Sequence, residues 1–255
     1  MFDLAGKVAV ITGASSGFGA LAAKAYAESG AAVALLARRK EKLDVVAEEI
    51  RSMGGRALAV QCDVTNEEDV EKAVQEVIDT FGRIDILLND AGVAVHGGVD
   101  TLTEEEWDLS MNTNVKSVFL MSKYVLPHMI KNLYGKIVNI SSVDAILADK
   151  DDRFIRHGYN ASKAALLGLT HGMACSYGRY NITVNAIGPA LFKTEMTKDT
   201  LFKSEAFLQA YTNQCPMDRI ARVDELNGTI LYLSSDESSY VTGQFIIVDG
   251  GISMV

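Results

Sequence analysis

The stretch Val8-Ala9-Val10-Ile11-Thr12-Gly13-Ala14-Ser15-Ser16-Gly17-Phe18-Gly19 decides the fold. A short β-rich run leads straight into a glycine-rich turn, and a helical pattern begins at about residue 18. Gly13 suits the tight turn, Gly17 lets backbone approach a pyrophosphate, and Gly19 lets helix pack on strand. Backbone N–H groups around Ser15, Ser16 and Phe18, at the helix start, then face phosphates. The strand–turn–helix context makes this more than a bare glycine pattern.

Outward from this unit the same rhythm repeats. Residues 8–12, 32–36, 57–61, 84–88, 136–140 and 183–187 read as buried strands, and 245–248 as a seventh. Helical patterns lie between them, at about 18–29, 40–53, 67–81, 104–132, 158–179 and 223–234. The alternation predicts an α/β fold: a doubly wound, seven-stranded parallel sheet of the Rossmann type, with helices on both faces. The strands are nearly all apolar, as strands covered on both sides should be. Residues 1–255 are expected to form a single dinucleotide-binding and catalytic domain, with 195–215 inserted as a substrate lid.

Composition narrows the partners. The formal charge of −9 argues against nucleic acid or an anionic membrane, but not against an anionic cofactor held by a local positive patch. Cys62, Cys175 and Cys215 show neither a disulfide nor a zinc-site pattern, and read as reduced core thiols suited to the cytoplasm. No metal-ligand spacing appears among the histidines. The start does not read as a signal peptide, and no apolar stretch approaches membrane-spanning length.

Further pieces sit at strand ends. Asp63, followed by Val64, can meet an adenine amine or cap the helix leading from Thr65-Asn66. Asn89-Asp90-Ala91-Gly92 leaves room for a ribose. At the end of the second strand, where an acidic residue would bind the ribose hydroxyls, stand Ala37, Arg38, Arg39 and Lys40. A guanidinium fork suits a 2′-phosphate, so NADP(H) is preferred and NAD(H) is the alternative. Those cations could also simply solvate the next helix.

Far downstream, Tyr159 and Lys163 stand one helical turn apart on one face. A free tyrosine titrates at about pH 10. A neighbouring ammonium favours the phenolate and lowers that value. A phenol so tuned passes a proton to or from an alcohol oxygen at neutral pH.

Together these residues resemble the short-chain dehydrogenase/reductase family over nearly the whole chain. Thr12–Gly19 looks like its cofactor loop, Asn89-Asp90-Ala91-Gly92 its Asn-Asn-Ala-Gly motif, and Tyr159 with Lys163 its Tyr-x-x-x-Lys. Val184-Asn185-Ala186-Ile187, Pro189 and Thr194 are similar to its nicotinamide-side loop, and Thr242-Gly243-Gln244 with Asp249-Gly250-Gly251 to its C-terminal signature. The resemblance implies that Ser142 holds the substrate oxygen, with Ser141 the less favoured choice. It implies that Asn114 anchors a water next to Lys163, and that Thr194 holds the nicotinamide carboxamide. From the residues themselves, Asn114 shares a helical face with Trp107, Met111 and Val118, and a polar group there needs a partner such as water or a backbone carbonyl.

Three departures stand out. Asp90 replaces an asparagine that usually braces the sheet, so local hydrogen bonding must differ. Ala190 replaces a glycine after Pro189. Ser142 and Tyr159 are four residues further apart than is commonest in the family. The surplus falls around 149–157, a charged loop expected at the active-site mouth, which either is simply solvated or touches another subunit, or brings Arg153, Arg156 or His157 to a polar substrate.

The implied activity is reversible hydride transfer between NADP(H) and a small carbonyl or secondary alcohol. A keto-sugar acid or polyol, a 3-oxoacyl thioester, and a hydroxysteroid or other ketone compete as substrates. A non-catalytic NADP(H)-binding redox sensor is the reading from another class. The Ala- and Gly-rich run 161–174 allows close helix approach, and a homotetramer is expected, with a dimer second.

Overall fold

Seven strands form one sheet in a computed structural model that describes residues 2–152, 154–195, 197–198 and 201–254. They are β1 (Val8–Thr12), β2 (Ala32–Ala37), β3 (Arg56–Gln61), β4 (Ile86–Asn89), β5 (Gly135–Ile140), β6 (Ile182–Pro189) and β7 (Phe245–Val248). The order is β3-β2-β1-β4-β5-β6-β7, and every pairing is parallel. The expected doubly wound α/β architecture is therefore present.

Alternation along the strands explains the two layers of helix. Ala9, Ile11, Val33, Leu35 and Val138 face one core, shared with α1 (Gly17–Glu28), α2 (Lys40–Ser52) and α8 (Asn227–Ser234). Val10, Ala34, Leu36, Leu87 and Ile137 face the other, shared with α3 (Glu67–Phe81), α5 (Ser117–Asn132) and α6 (His157–Tyr177). Both faces exclude water, so the strands read as unbroken apolar runs.

The helix expected over about 104–132 is interrupted. It is α4 (Glu104–Met111), a π-helical turn at Asn112–Lys116, and then α5. The turn rotates Asn114 inward, leaving it 1% exposed, while Trp107 is 38% exposed. The shared face expected for these two residues does not exist. Such π turns recur where a helix must aim one side chain at a site. The sixth strand also runs on to Pro189, and a 3₁₀ turn (Val223–Leu226) precedes α8. Segment 195–215 contributes a short turn at Leu201–Lys203 and α7 (Glu205–Gln214), which Ser204 caps by accepting from the Phe207 N–H at 3.2 Å.

Strand order reverses between β1 and β4, and their carboxyl ends open a crevice there. The helix starts differ in a telling way. Asn66 caps α3 and a Thr103–Glu106 capping box closes α4, each with three acidic residues in the first turn. Among the described residues α1 has neither a side-chain cap nor a first-turn acid. The Gly19 N–H goes to Asp90, and the Gly17 and Phe18 N–H groups with the positive end of the dipole are left for an outside anion.

Cys62 and Cys215 are buried, but Cys175 is exposed and is not the core thiol expected of it. Among the described residues no helix is long and apolar enough to cross a membrane.

Candidate active site

A groove of about 530 Å³ runs along the carboxyl rim of the sheet. At one end lie Gly13, Ser15, Ser16, Gly17 and Phe18 with Arg38, Arg39, Asp63 and Val64. At the other lie Ala91, Gly92, Tyr159, Lys163 and Thr194. Residues spread from the first strand to Glu195 thus meet in one cleft, because every crossover returns to the same edge of the sheet.

The cradle is built by close approach. Gly13 (φ +69°) and Gly17 (φ +59°) hold left-handed backbone. A Cβ on Gly13 would lie 3.0 Å from the Ala91 nitrogen. A Cβ on Gly92 would lie 3.1 Å from Asn114 Oδ1 and 3.5 Å from Lys163 Nζ. This bare backbone floor and the start of α1, where Ser16 makes no cap bond, fit a dinucleotide whose phosphates sit at the helix start.

Three expected contact residues are not on the groove wall. Gly19 donates its N–H to Asp90 Oδ2 at 2.8 Å, so that amide is spent inside the protein. Its smallness serves packing, since a Cβ there would come 2.8 Å from the Gly13 carbonyl oxygen. Asn89 braces the sheet: its Nδ2 donates to Asn139 Oδ1 at 2.9 Å, and Asn139 Nδ2 donates to Thr170 Oγ1 at 2.9 Å. Pro189 ends β6 beside Val248 of β7. The bracing expected to suffer from Asp90 therefore falls to Asn89, while Asp90 ties β4 to the phosphate loop.

Asp63 accepts from the Thr65 N–H (3.0 Å) and hydroxyl (2.8 Å), closing a turn. The helix cap itself is Asn66, not Asp63. Burial works to raise the Asp63 pKa, but the Thr65 bonds and the charge of Arg38 hold it below the usual value.

The Tyr159 end is a dense polar knot. Ser142 stands beside the Tyr159 phenol, where its side chain acts to lower the phenol's pKa, and it accepts from the Asp144 N–H at 3.1 Å. Ser141 instead donates to the Lys163 carbonyl at 2.9 Å, anchoring α6. The second serine is thus the one beside the phenol. Lys163 Nζ donates to the Ile140 carbonyl at 2.9 Å and lies 5.5 Å from the Tyr159 ring centroid.

Electrostatics differ from the sequence expectation. Burial pushes the Tyr159 phenol up to about 12, and the Asp144 carboxylate adds to the rise; Ser142 and Arg156 oppose it. Burial pulls Lys163 down to about 8 against the charges of Asp90 and Asp144. The lysine is desolvated together with the tyrosine and turned toward a backbone carbonyl. Loss of hydration therefore outweighs the lowering of the phenol that an adjacent ammonium would bring. Burial also lifts the Asp90 carboxyl to about 7, with Lys163 opposing.

Asn114 sits behind the groove. Its Oδ1 accepts from the Val93 N–H at 2.8 Å, and its Nδ2 donates to the Val93 carbonyl and Ser162 Oγ, both at 2.9 Å. Ser162 in turn donates to the Tyr159 carbonyl at 2.8 Å. Both amide protons are spent on protein groups, so the partner of this buried side chain is backbone and serine.

The charged loop folds against the cleft. The Gly97 N–H donates to the Ile155 carbonyl at 2.9 Å, and Phe154 packs on Phe207 of α7 with centroids 4.7 Å apart. Arg156 pairs with Asp144 (3.5 Å) and Asp149 (3.2 Å), its guanidinium 5.8 Å from the Tyr159 ring centroid. His157 Nδ1 accepts from the Val99 N–H at 3.1 Å and is held there. Burial and the nearby Arg156 keep His96 below its usual pKa. Arg153 lies outside the described residues. Asp144, Ser162 and Glu195 join the candidate site in the structure, and nothing local in the sequence marks them. Each has a partner distant along the chain: Arg156 for Asp144, Asn114 for Ser162 and Arg39 for Glu195.

Comparison with known proteins places this geometry. Residues 13–253 match a family model described as enoyl-(acyl carrier protein) reductase. Gluconate 5-dehydrogenase of Gluconobacter oxydans is 39% identical, the match covering 100% of this chain and 97% of that protein. The 3-oxoacyl-[acyl-carrier-protein] reductase of Thermotoga maritima is 37% identical, covering 98% of each chain. The crystal structure of a gluconate 5-dehydrogenase from Burkholderia cenocepacia, in complex with NADP and tartrate, superposes with a TM-score of 0.94. It is 35% identical, with 100% of this chain and 98% of that one covered.

Proposed function

The chain belongs to the short-chain dehydrogenase/reductase family and is an oxidoreductase; from that premise we propose that it reduces and oxidises a small polar keto acid or polyol with NADP(H). The observation that carries the reading is that Tyr159 and Lys163, one turn apart on one helix, line the end of a glycine-floored groove with Ser142 beside the phenol. The coenzyme would be held by the phosphate loop and α1 start, by Arg38 and Arg39, and by Asp63, Lys163 and Thr194. When bound it supplies or accepts the hydride.

The side chains do the rest. Ser142 and Tyr159 aim donors at the oxygen on which charge develops, and aimed donors need no reorganisation during the reaction. In reduction Tyr159 gives up the phenolic proton. Lys163, charged below about pH 8, places a cation behind the phenol as its charge grows. Asn114 positions Tyr159 through Ser162, and fixes the Gly92–Val93 floor. Segment 195–215 serves as the lid.

A polar substrate is favoured by the Asp144–Arg156 pair beside Tyr159 and by the likeness to two gluconate dehydrogenases. The net charge of −9 offers little to an acidic acyl carrier. Coenzyme oxidation, followed with NADPH and NADH over keto-sugar acids, 3-oxoacyl thioesters and hydrophobic ketones, tests this. Fastest turnover is expected with NADPH and a keto-sugar acid. Turnover confined to thioesters would sink the substrate assignment. Silence across the panel with tight NADPH binding would make the protein a binder rather than a catalyst.

Homotetrameric assembly is part of the same proposal. A Cβ on Gly168 or Gly172 of α6 would meet nothing within 4 Å, and Phe119 of α5 is 51% exposed. Those faces await a second copy, and light scattering should return the mass of four chains. A monomer would refute it.

A further inference from the structure

The cations that a 2′-phosphate would need already hold an anion of this chain. Arg39 Nη2 lies 2.7 Å from Glu195 Oε2, and Lys42 Nζ lies 2.7 Å from Glu195 Oε1. The same Arg39 nitrogen donates to Ser15 Oγ at 2.9 Å and Ser16 Oγ at 3.0 Å. The guanidinium therefore stands over the phosphate loop, and Glu195, the first residue of the lid segment, reaches across to it. Arg39, Ser15, Ser16 and Glu195 all line the groove. Both carboxylate oxygens are engaged, and these bonds hold the Glu195 pKa far below the usual carboxylate range.

We propose that Glu195 sets the coenzyme selectivity of this chain, its carboxylate standing in for a 2′-phosphate on Arg39 and Lys42. The inference rests on the assignment of the groove to NAD(P)(H). Two cations bind the one carboxylate directly, with Glu41 acting on Arg39 from further off, and a phosphate dianion makes stronger charge-assisted bonds to the pair than a monoanion does. NADP(H) enters by exchanging its phosphate for Glu195, and that exchange offsets part of the phosphate's attraction. NAD(H) brings no competing anion and leaves the Glu195 bridge in place. One residue thereby links the start of the lid to the charge of the coenzyme: the bridge opens for the phosphorylated form and stays closed for the other.

Titration calorimetry of NADPH and NADH against wild type and Glu195→Gln decides the matter. Glutamine keeps the size and one oxygen acceptor but not the charge. NADPH is expected to bind about three- to tenfold more tightly to the variant, with NADH changed less than about twofold or weakened. The preference for NADPH over NADH should rise accordingly. An unchanged ratio of the two dissociation constants, or an equal shift in both, would overturn the role of Glu195. Failure of wild type to bind either coenzyme would instead overturn the assignment of the groove.

Discussion

Replacing Tyr159 by phenylalanine should lower kcat/KM for carbonyl reduction by roughly 10²–10⁴-fold, the worth of a positioned general acid. NADPH affinity and melting temperature should stay near wild type. The ring is 9% exposed and keeps its packing; only the hydroxyl is lost. Ser142 retains its bond from the Asp144 N–H, and Lys163 its bond to Ile140, so no deep polar group is orphaned. Steady-state kinetics with a calorimetric scan check this. Full turnover by the variant would show that another group delivers the proton.

The same phenol sets a pH dependence. Held up at about 12 by burial and then by Asp144, it stays protonated through neutrality, as reduction requires. Alcohol oxidation needs the phenolate, so its rate should climb as pH rises. Asp144→Asn removes a negative charge that disfavours the phenolate. The rising limb for oxidation should move to lower pH, while reduction near neutrality changes little. A limb that stayed put would mean that Asp144 does not act on Tyr159.

Asn114→Ala should be the most damaging single change to the scaffold of the site. It removes three hydrogen bonds and leaves the Val93 N–H and carbonyl without their partner. Orphaned polar groups cost about 1–3 kcal/mol each when buried; Val93 is half-buried, so a loss on the order of 2–4 kcal/mol is expected for the three bonds together. In a domain of this size that corresponds to roughly 5–15 °C in Tm. Turnover should fall as well, because the Ser162 link to the Tyr159 backbone loses its support. Asn114→Asp should fare little better, since it keeps the acceptor for Val93 but supplies no donors. A melting temperature of Asn114→Ala within about 2 °C of wild type would contradict this account.

Some of the site was open to reading because it is local. The strand, glycine turn and helix at Val8–Gly19 follow from apolar runs and backbone freedom over twelve residues. Tyr159 and Lys163 share a face because a helix turns every 3.6 residues. Asn89 shows where such reading fails. It sits in a motif associated with the coenzyme, yet the sheet turns its amide toward Asn139, fifty positions away. The continuous helix expected over about 104–132 fails for a related reason. The inward turn of Asn114 answers to Val93 and Ser162, neither of which lies on that helix.

By itself, then, the order of residues determined a parallel sheet clothed on both faces, the location of the phosphate loop, and which phenol and amine would be neighbours. Periodicity and glycine placement act over a few residues and need no partner. Only the tertiary structure decided that Glu195 spans the groove to Arg39, that Asp90 ties β4 to the phosphate loop, and that the phenol is pushed up rather than down. Those outcomes depend on distances between remote segments and on how much water the assembled fold removes. Neither quantity exists until the chain has closed on itself.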